Sequence, residues 1–223
     1  MMRILFAAAM VAGLGAGSQA SAALTTFIGA DNSVTSLAQM INSKAAAAAF
    51  DTAVPHASVI TFETSLPANV SVTGGAITTN VTPCDALCGF NTTAGGQKFY
   101  SQFGGTATFT FTAPIDAFGL YVTGLQTDLV SQETLTFSDG SSQTIDTPSA
   151  TGGGAAFIGF TDAGKSISSV SYNATGDIVG LDDVQFGNVS SVPEPASWAL
   201  MLVGAGGLGL AMRSRRKYAV AAA

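Results

Sequence analysis

Charge is scarce in this chain: of its 223 residues only 10% are Asp, Glu, Lys or Arg, and histidine occurs once and cysteine twice. Each shortage excludes something. Five of the eight basic residues (Arg3, Arg213, Arg215, Arg216 and Lys217) lie at the two ends. The stretch between keeps Lys44, Lys98 and Lys165 against thirteen acids, a formal charge of −10. A nucleic-acid partner is excluded, because phosphates need the opposite sign. With His56 as the single histidine, a zinc site built on Cys84 and Cys88 falls short of four ligands. A Ser-His-Asp triad would have to use His56, and no Gly-x-Ser-x-Gly turn supports one. The glycine run 152–154 lacks the Lys-Ser/Thr ending of a phosphate loop. The chain is therefore expected not to be an enzyme.

What is present is a mean hydropathy of +0.40, concentrated at the two ends. Residues 1–22 read as a signal peptide. Arg3 gives a basic start, Ile4 to Gly17 is a short apolar run, and Ala20-Ser21-Ala22 supplies the small-x-small cleavage site. Export would place Cys84 and Cys88, four apart, in an oxidising compartment, where a short-loop disulfide is the favoured state and two reduced thiols the alternative.

At the other end, Ser190 and Ser191 lead into Val192-Pro-Glu-Pro-Ala-Ser-Trp-Ala199. Ala196 to Met212 carries no charge and, as a helix, would span roughly 26 Å, the short end of a transmembrane length. Arg213, Arg215, Arg216 and Lys217 follow at once and belong on the cytoplasmic side. Trp198 falls where an indole suits the outer membrane–water interface. A signal peptide places the body on that same outer side, so the two ends specify one topology.

Pro193-Glu194-Pro195-x-x-Trp198-Ala199, an apolar span and a terminal basic cluster together resemble the PEP-CTERM sorting domain in its PEPxxWA variant, a tail also called an ice-binding protein C-terminal domain. The resemblance covers residues 190–217, with residues 218–223 as an added tail. It implies processing by exosortase near the Pro-Glu-Pro motif, transient anchoring in the inner membrane with the body in the periplasm, and delivery to the surface or extracellular matrix of a Gram-negative bacterium that makes exopolysaccharide.

The body, 23–189, is rich in Thr, Ser, Gly, Ala and Phe, which suit strands and turns. Residues 33–53 are expected to form a helix, with Val34, Leu37, Ala38 and Ile41 at helical spacing, a cap from Asp31, Asn32 or Ser33, and Pro55 after its end. From Val59 the period becomes two. Thr106 to Thr112 sets Ala107, Phe109 and Phe111 on one face and threonines on the other. Further strands are expected at 118–122, 157–160, 167–172 and 178–186, with a hairpin around Ser138-Asp139-Gly140-Ser141. Eight or more short strands predict an antiparallel β-sandwich of jelly-roll or carbohydrate-binding-module type with one N-terminal helix.

Ile60-Thr-Phe-Glu63 and Gly180-Leu-Asp-Asp-Val184 resemble the corresponding stretches of lectin-like and carbohydrate-binding-module-like sandwiches. If Ile178, Val184 and Phe186 face inward, Asp182 does too, and a buried carboxylate must be paired or bind a metal. Glu63 with Asp182 or Asp183 could then hold a structural Ca²⁺. The alternative is a bulge that turns both aspartates to solvent or to turn amides. Phe99, Tyr100, Phe103, Tyr121 and Tyr172 are candidates for stacking on a sugar. Three functions follow for comparison: a non-catalytic surface or matrix protein, which is favoured, a module that holds exopolysaccharide, and a secreted hydrolase.

Overall fold

The computed structural model describes residues 23–79, 84–130, 134–139 and 142–189, together with Gly204. The cleavage residues Ala20 and Ala22, the motif Pro193-Glu194-Pro195 with Trp198 and Ala199, and the cluster Arg213, Arg215, Arg216 and Lys217 lie outside the described residues. Gly204 is the one position of the expected tail span inside them.

The body is mainly β and folds as two layers that share their two longest strands. β5 (Phe99–Ile115) and β10 (Ile167–Gly187) run antiparallel along each other. Both bend at one place. Gly104 and Gly105 have φ of 61° and 64°, and Thr175, opposite Gly105, has φ of 57°. The pairing register shifts on both sides of Thr175. Two adjacent glycines take this left-handed backbone without a Cβ penalty, so the ribbon turns a corner and passes from one layer to the other.

On one side of the corner, β3 (Val70–Thr73) pairs with β5, and β7 (Thr134–Ser138) pairs with β10 and with β8 (Ser142–Asp146). On the other side, β10 pairs with β6 (Ala117–Leu125), β6 with β9 (Gly154–Thr161), and β9 with β1 (Thr25–Asp31). The short strands β2 (Ser58–Ile60) and β4 (Ala76–Thr78) add to the ends of β10 and β5. Every pairing is antiparallel.

The layers meet on phenylalanine. Phe109 lies 5.5 Å from Phe118, and Phe137 stacks on Phe160 with centroids 3.9 Å apart. In β5 the alternation appears as read, with Ala107, Phe109 and Phe111 buried and Thr106, Thr110 and Thr112 exposed. β6 and β9 are buried on both faces. Their outer faces are covered by α1 (Asn42–Ala53), whose Phe50 packs edge-on to Phe27 at 5.5 Å and against Phe157 at 5.8 Å. A side chain on Gly29 of β1 would put its Cβ 2.2 Å from the Asn42 carbonyl oxygen, so the bare glycine permits this close approach.

The helix begins later than its periodicity suggests. Ser33 takes a left-handed φ of 52°, Leu37–Gln39 forms only a 3-10 turn, and α1 starts at Asn42. Asp31 still serves the helix, but from the end of β1. Its Oδ1 accepts the Asn42 amide (2.9 Å) and the Ile41 amide (3.2 Å), and its Oδ2 accepts the Ser43 amide (2.9 Å) and hydroxyl (2.6 Å). Burial pushes the Asp31 carboxyl up, yet these donors outweigh it and hold the group below its ordinary value.

Candidate functional site

Glu63, Asp182 and Asp183 all hold the connection that runs from residue 90 to residue 98. Chain geometry sets them there. After β2, buried Phe62 adopts a left-handed φ of 58° while stacking on Tyr100 at 5.5 Å, which swings Glu63 under the far end of the connection. A phenylalanine in this region is strained and is held by the packing around it. Glu63 Oε1 accepts the amides of Gln97 and Lys98, both at 2.6 Å, and the Asn91 side-chain amide at 3.1 Å. Gly96 lies against it, and a Cβ there would stand 2.4 Å from Glu63 Oε1. The Lys98 amide is the strongest influence holding the Glu63 carboxyl below its ordinary value.

The two aspartates hold the near end. The β10–β6 register slips between Asp182 and Gln185, where Asp183 has φ of 42°. This bulge changes the facing of the strand. Val179 and Leu181 face the sandwich interior before it, and Val184 and Phe186 do so after it. Asp182 therefore points away from that interior, and Ile178, half-buried, packs beside Cys88 and Phe99 instead of in the main core. Asp182 keeps the face of Ile178, but the bulge sets Val184 and Phe186 on the opposite one, so the expectation that all four face inward does not hold, and the alternative of a bulge that turns Asp182 to turn amides does.

Asp182 is fully buried all the same, beneath the connection. Its Oδ2 accepts the Thr92 amide (2.7 Å), the Thr93 amide (3.3 Å) and the Thr92 hydroxyl (3.1 Å). Its Oδ1 has no hydrogen-bond partner among the described residues. Burial first, and the neighbouring Asp183 charge second, push the Asp182 carboxyl up to about 7. Asp183 accepts the Thr93 hydroxyl (2.7 Å) and competes with Asp182 for the single proton of the Thr92 hydroxyl (2.9 Å).

These three acids thus share one segment as protein-to-protein acceptors. Among the described residues no group of three or more His, Cys, Asp or Glu side chains is placed to hold a metal ion. The residues missed in the sequence are Asn91, Thr92, Thr93 and Gln97. Asn-Thr-Thr-Ala-Gly-Gly-Gln is legible as a polar turn, but its carboxylate partners stand 28 to 91 positions away.

A covalent turn precedes this connection. Cys84 and Cys88 form a disulfide with Cα atoms 5.6 Å apart, closing the 3-10 turn Asp85–Cys88. Of the candidate stacking residues, Phe99, Tyr100, Tyr121 and Tyr172 are buried, and Phe103, beside the corner, is 65% exposed. His56 is exposed on the turn between α1 and β2. Among the described residues no helix is long and apolar enough to cross a membrane.

A family model for the PEP-CTERM protein-sorting motif matches residues 191–217. The chain carries a PEP-CTERM sorting motif. That segment contains Pro193, Glu194, Pro195, Trp198 and the basic cluster to Lys217. No curated protein matches the sequence. Among solved structures, the carbohydrate-binding module TmCBM61, in complex with beta-1,4-galactotriose, aligns with 57% of this chain and 94% of its own, at 15% identity and a TM-score of 0.29.

Proposed function

We propose that this protein is a non-catalytic surface or extracellular-matrix protein, exported by its signal peptide and sorted by exosortase through its PEP-CTERM tail. The observation that carries the reading is the PEP-CTERM motif at residues 191–217. Its charge order supports the topology: an apolar stretch precedes Arg213-Ser-Arg-Arg-Lys217, which stays cytoplasmic while the body crosses. The body suits exposure. It is acidic and threonine-rich on its water-facing strands, and it is closed at Cys84–Cys88 by a bond that persists in oxidising compartments. Transient anchoring in the inner membrane precedes release to the surface, where exopolysaccharide is the surrounding polymer.

Replacing Pro193, Glu194 and Pro195 together by alanine tests the reading. The protein is expected to accumulate at the inner membrane with its tail intact. Unchanged release of the triple variant would refute exosortase sorting through this motif.

A further inference from the structure

β1 is the last strand of its layer, and among the described residues no strand pairs with its outer side. One contact fixes which of its groups are free. The Ala30 carbonyl oxygen is met by Asn42 Nδ2 at 3.1 Å, so Ala30 turns its polar groups away from β9. By the alternation of an antiparallel strand, Thr26 and Ile28 do the same. The Asp162 amide, just past β9, agrees: it donates towards β6, to the Asp116 carbonyl at 2.8 Å, which leaves the odd-numbered residues of β9 facing β1.

Other free edges are short or guarded. β2 and β4 have three residues each and β3 has four, while β8 has five and ends on the exposed Asp146. β1 has seven, Thr-Thr-Phe-Ile-Gly-Ala-Asp, in unbroken register with β9. Native edges are blunted by lysine, proline or a bulge, and β1 has none of these. Its one charge, Asp31, is buried and holds the start of α1. Apolar side chains stand along it instead. Ile28 is 42% exposed, and Ile41, whose amide Asp31 accepts, is 72% exposed.

The strand is complementary to itself. All seven residues pair when two copies of β1 run antiparallel about Ile28, with Thr25 opposite Asp31, Thr26 opposite Ala30 and Phe27 opposite Gly29. Ile28 then meets its own counterpart, and the two exchange N–H and C=O. Phe27 meets a bare glycine, which leaves room for its ring. A foreign strand would gain the same backbone bonds, but this large-against-small match selects β1. The helices permit the arrangement. A two-fold axis through the joined sheet keeps both copies of α1 on one face. Lys44 and Asp51 share one flank of α1, and the flank on the Asn42 side carries Ala45 and Ala49, both exposed. That flank has no charge and no long side chain, so two helices can approach to the roughly 8–10 Å of packed pairs.

We propose that two copies of this chain join through the free edges of β1, antiparallel about Ile28, as a two-fold dimer with one continuous layer of sheet. Dimerisation goes beyond the sorting role and does not depend on it.

Light scattering coupled to size exclusion, on the full chain purified in detergent, should give a protein mass twice that of the monomer. Ile28→Lys sets two ammonium groups opposite each other and should weaken the dimer by roughly tenfold or more. Ile28→Cys reads the register. Cβ atoms of directly opposed residues lie roughly 4.5–5.5 Å apart, so a short bismaleimide should join two chains in high yield. The native cysteines are paired with each other and do not compete. Val59→Cys, at a position 51% exposed on β2, should stay unlinked. A monomer throughout a concentration series overturns the proposal. So does a dimer that Ile28→Lys leaves intact, or Ile28→Cys that links no better than Val59→Cys.

Discussion

Asp182 Oδ2 accepts the Thr92 amide at 2.7 Å, across 90 positions of sequence, while Oδ1 of the same carboxylate is buried with no partner among the described residues. Burial and the neighbouring Asp183 charge outweigh these hydrogen bonds and set its titration. With a carboxyl pushed up to about 7 against an ordinary value of 3.8, the folded protein binds this proton more tightly than the unfolded chain does. The contribution of this group to stability is complete below about pH 4 and is lost as pH rises through about 7. Asp182→Asn removes the charge and keeps an acceptor for Thr92. The variant is therefore expected to be more stable than wild type near pH 8, by up to the order of 4 kcal/mol, with the difference shrinking towards pH 4. Paired thermal melts across that range check it. A constant difference would show that burial of the Asp182 charge is not what matters.

Glu63 fastens the other end of the same connection through the Gln97 and Lys98 amides. Lys98 is exposed, so trypsin reports on it. Glu63→Ala should accelerate cleavage after Lys98 several-fold while the rest of the body stays protected, because loss of the shared acceptor lets this segment open locally. Equal cleavage rates would mean the connection is held from elsewhere.

Closure of the turn by Cys84–Cys88 constrains a short loop, so its effect is small. Chain-entropy arithmetic gives about 2 kcal/mol. Reduction, or Cys84→Ser with Cys88→Ser, should lower the melting temperature by roughly 4–8 °C for a body of this size. Unfolding on reduction would show that the turn organises far more than its own loop.

Asp31 gives α1 a cap from a neighbouring strand. Asp31→Ala leaves the amides of Ile41, Asn42 and Ser43 without it and strands the buried Ser43 hydroxyl against a single remaining acceptor, the Ala155 carbonyl at 3.3 Å. The expected cost is about 1–2 kcal/mol, read by denaturant unfolding. Asp31→Asn should recover part of it.

The sandwich was legible where one rule governs. Thr106–Thr112 declares itself by alternation because one face meets the core and the other meets water. β6 alternates less clearly, since the sandwich core buries one face and the α1 layer the other, and the pattern fills with Gly, Leu, Tyr and Val. β1 was not recognised: Gly29, needed for the approach of α1, interrupts its run. The late start of α1 was hidden because Asp31 acts through the fold, across ten to twelve positions. The acids of the 90–98 connection are legible as residues, and a bulge turning the aspartates to turn amides is one of the two arrangements the sequence leaves open. A bulge of one residue in β10 decides where Asp182 points, and no composition or period announces it. The sorting tail lies at the opposite extreme. Its meaning is carried by residue order alone, so it could be recognised without any fold.

The most direct measurement of the central claim is the intact mass and cellular location of the protein in its host, with and without exosortase. The account predicts a released form in the parent strain that lacks residues 1–22 and everything beyond the Pro193–Pro195 region, and a tailed form held at the inner membrane when exosortase is absent. A full tail at the inner membrane in both strains would contradict it.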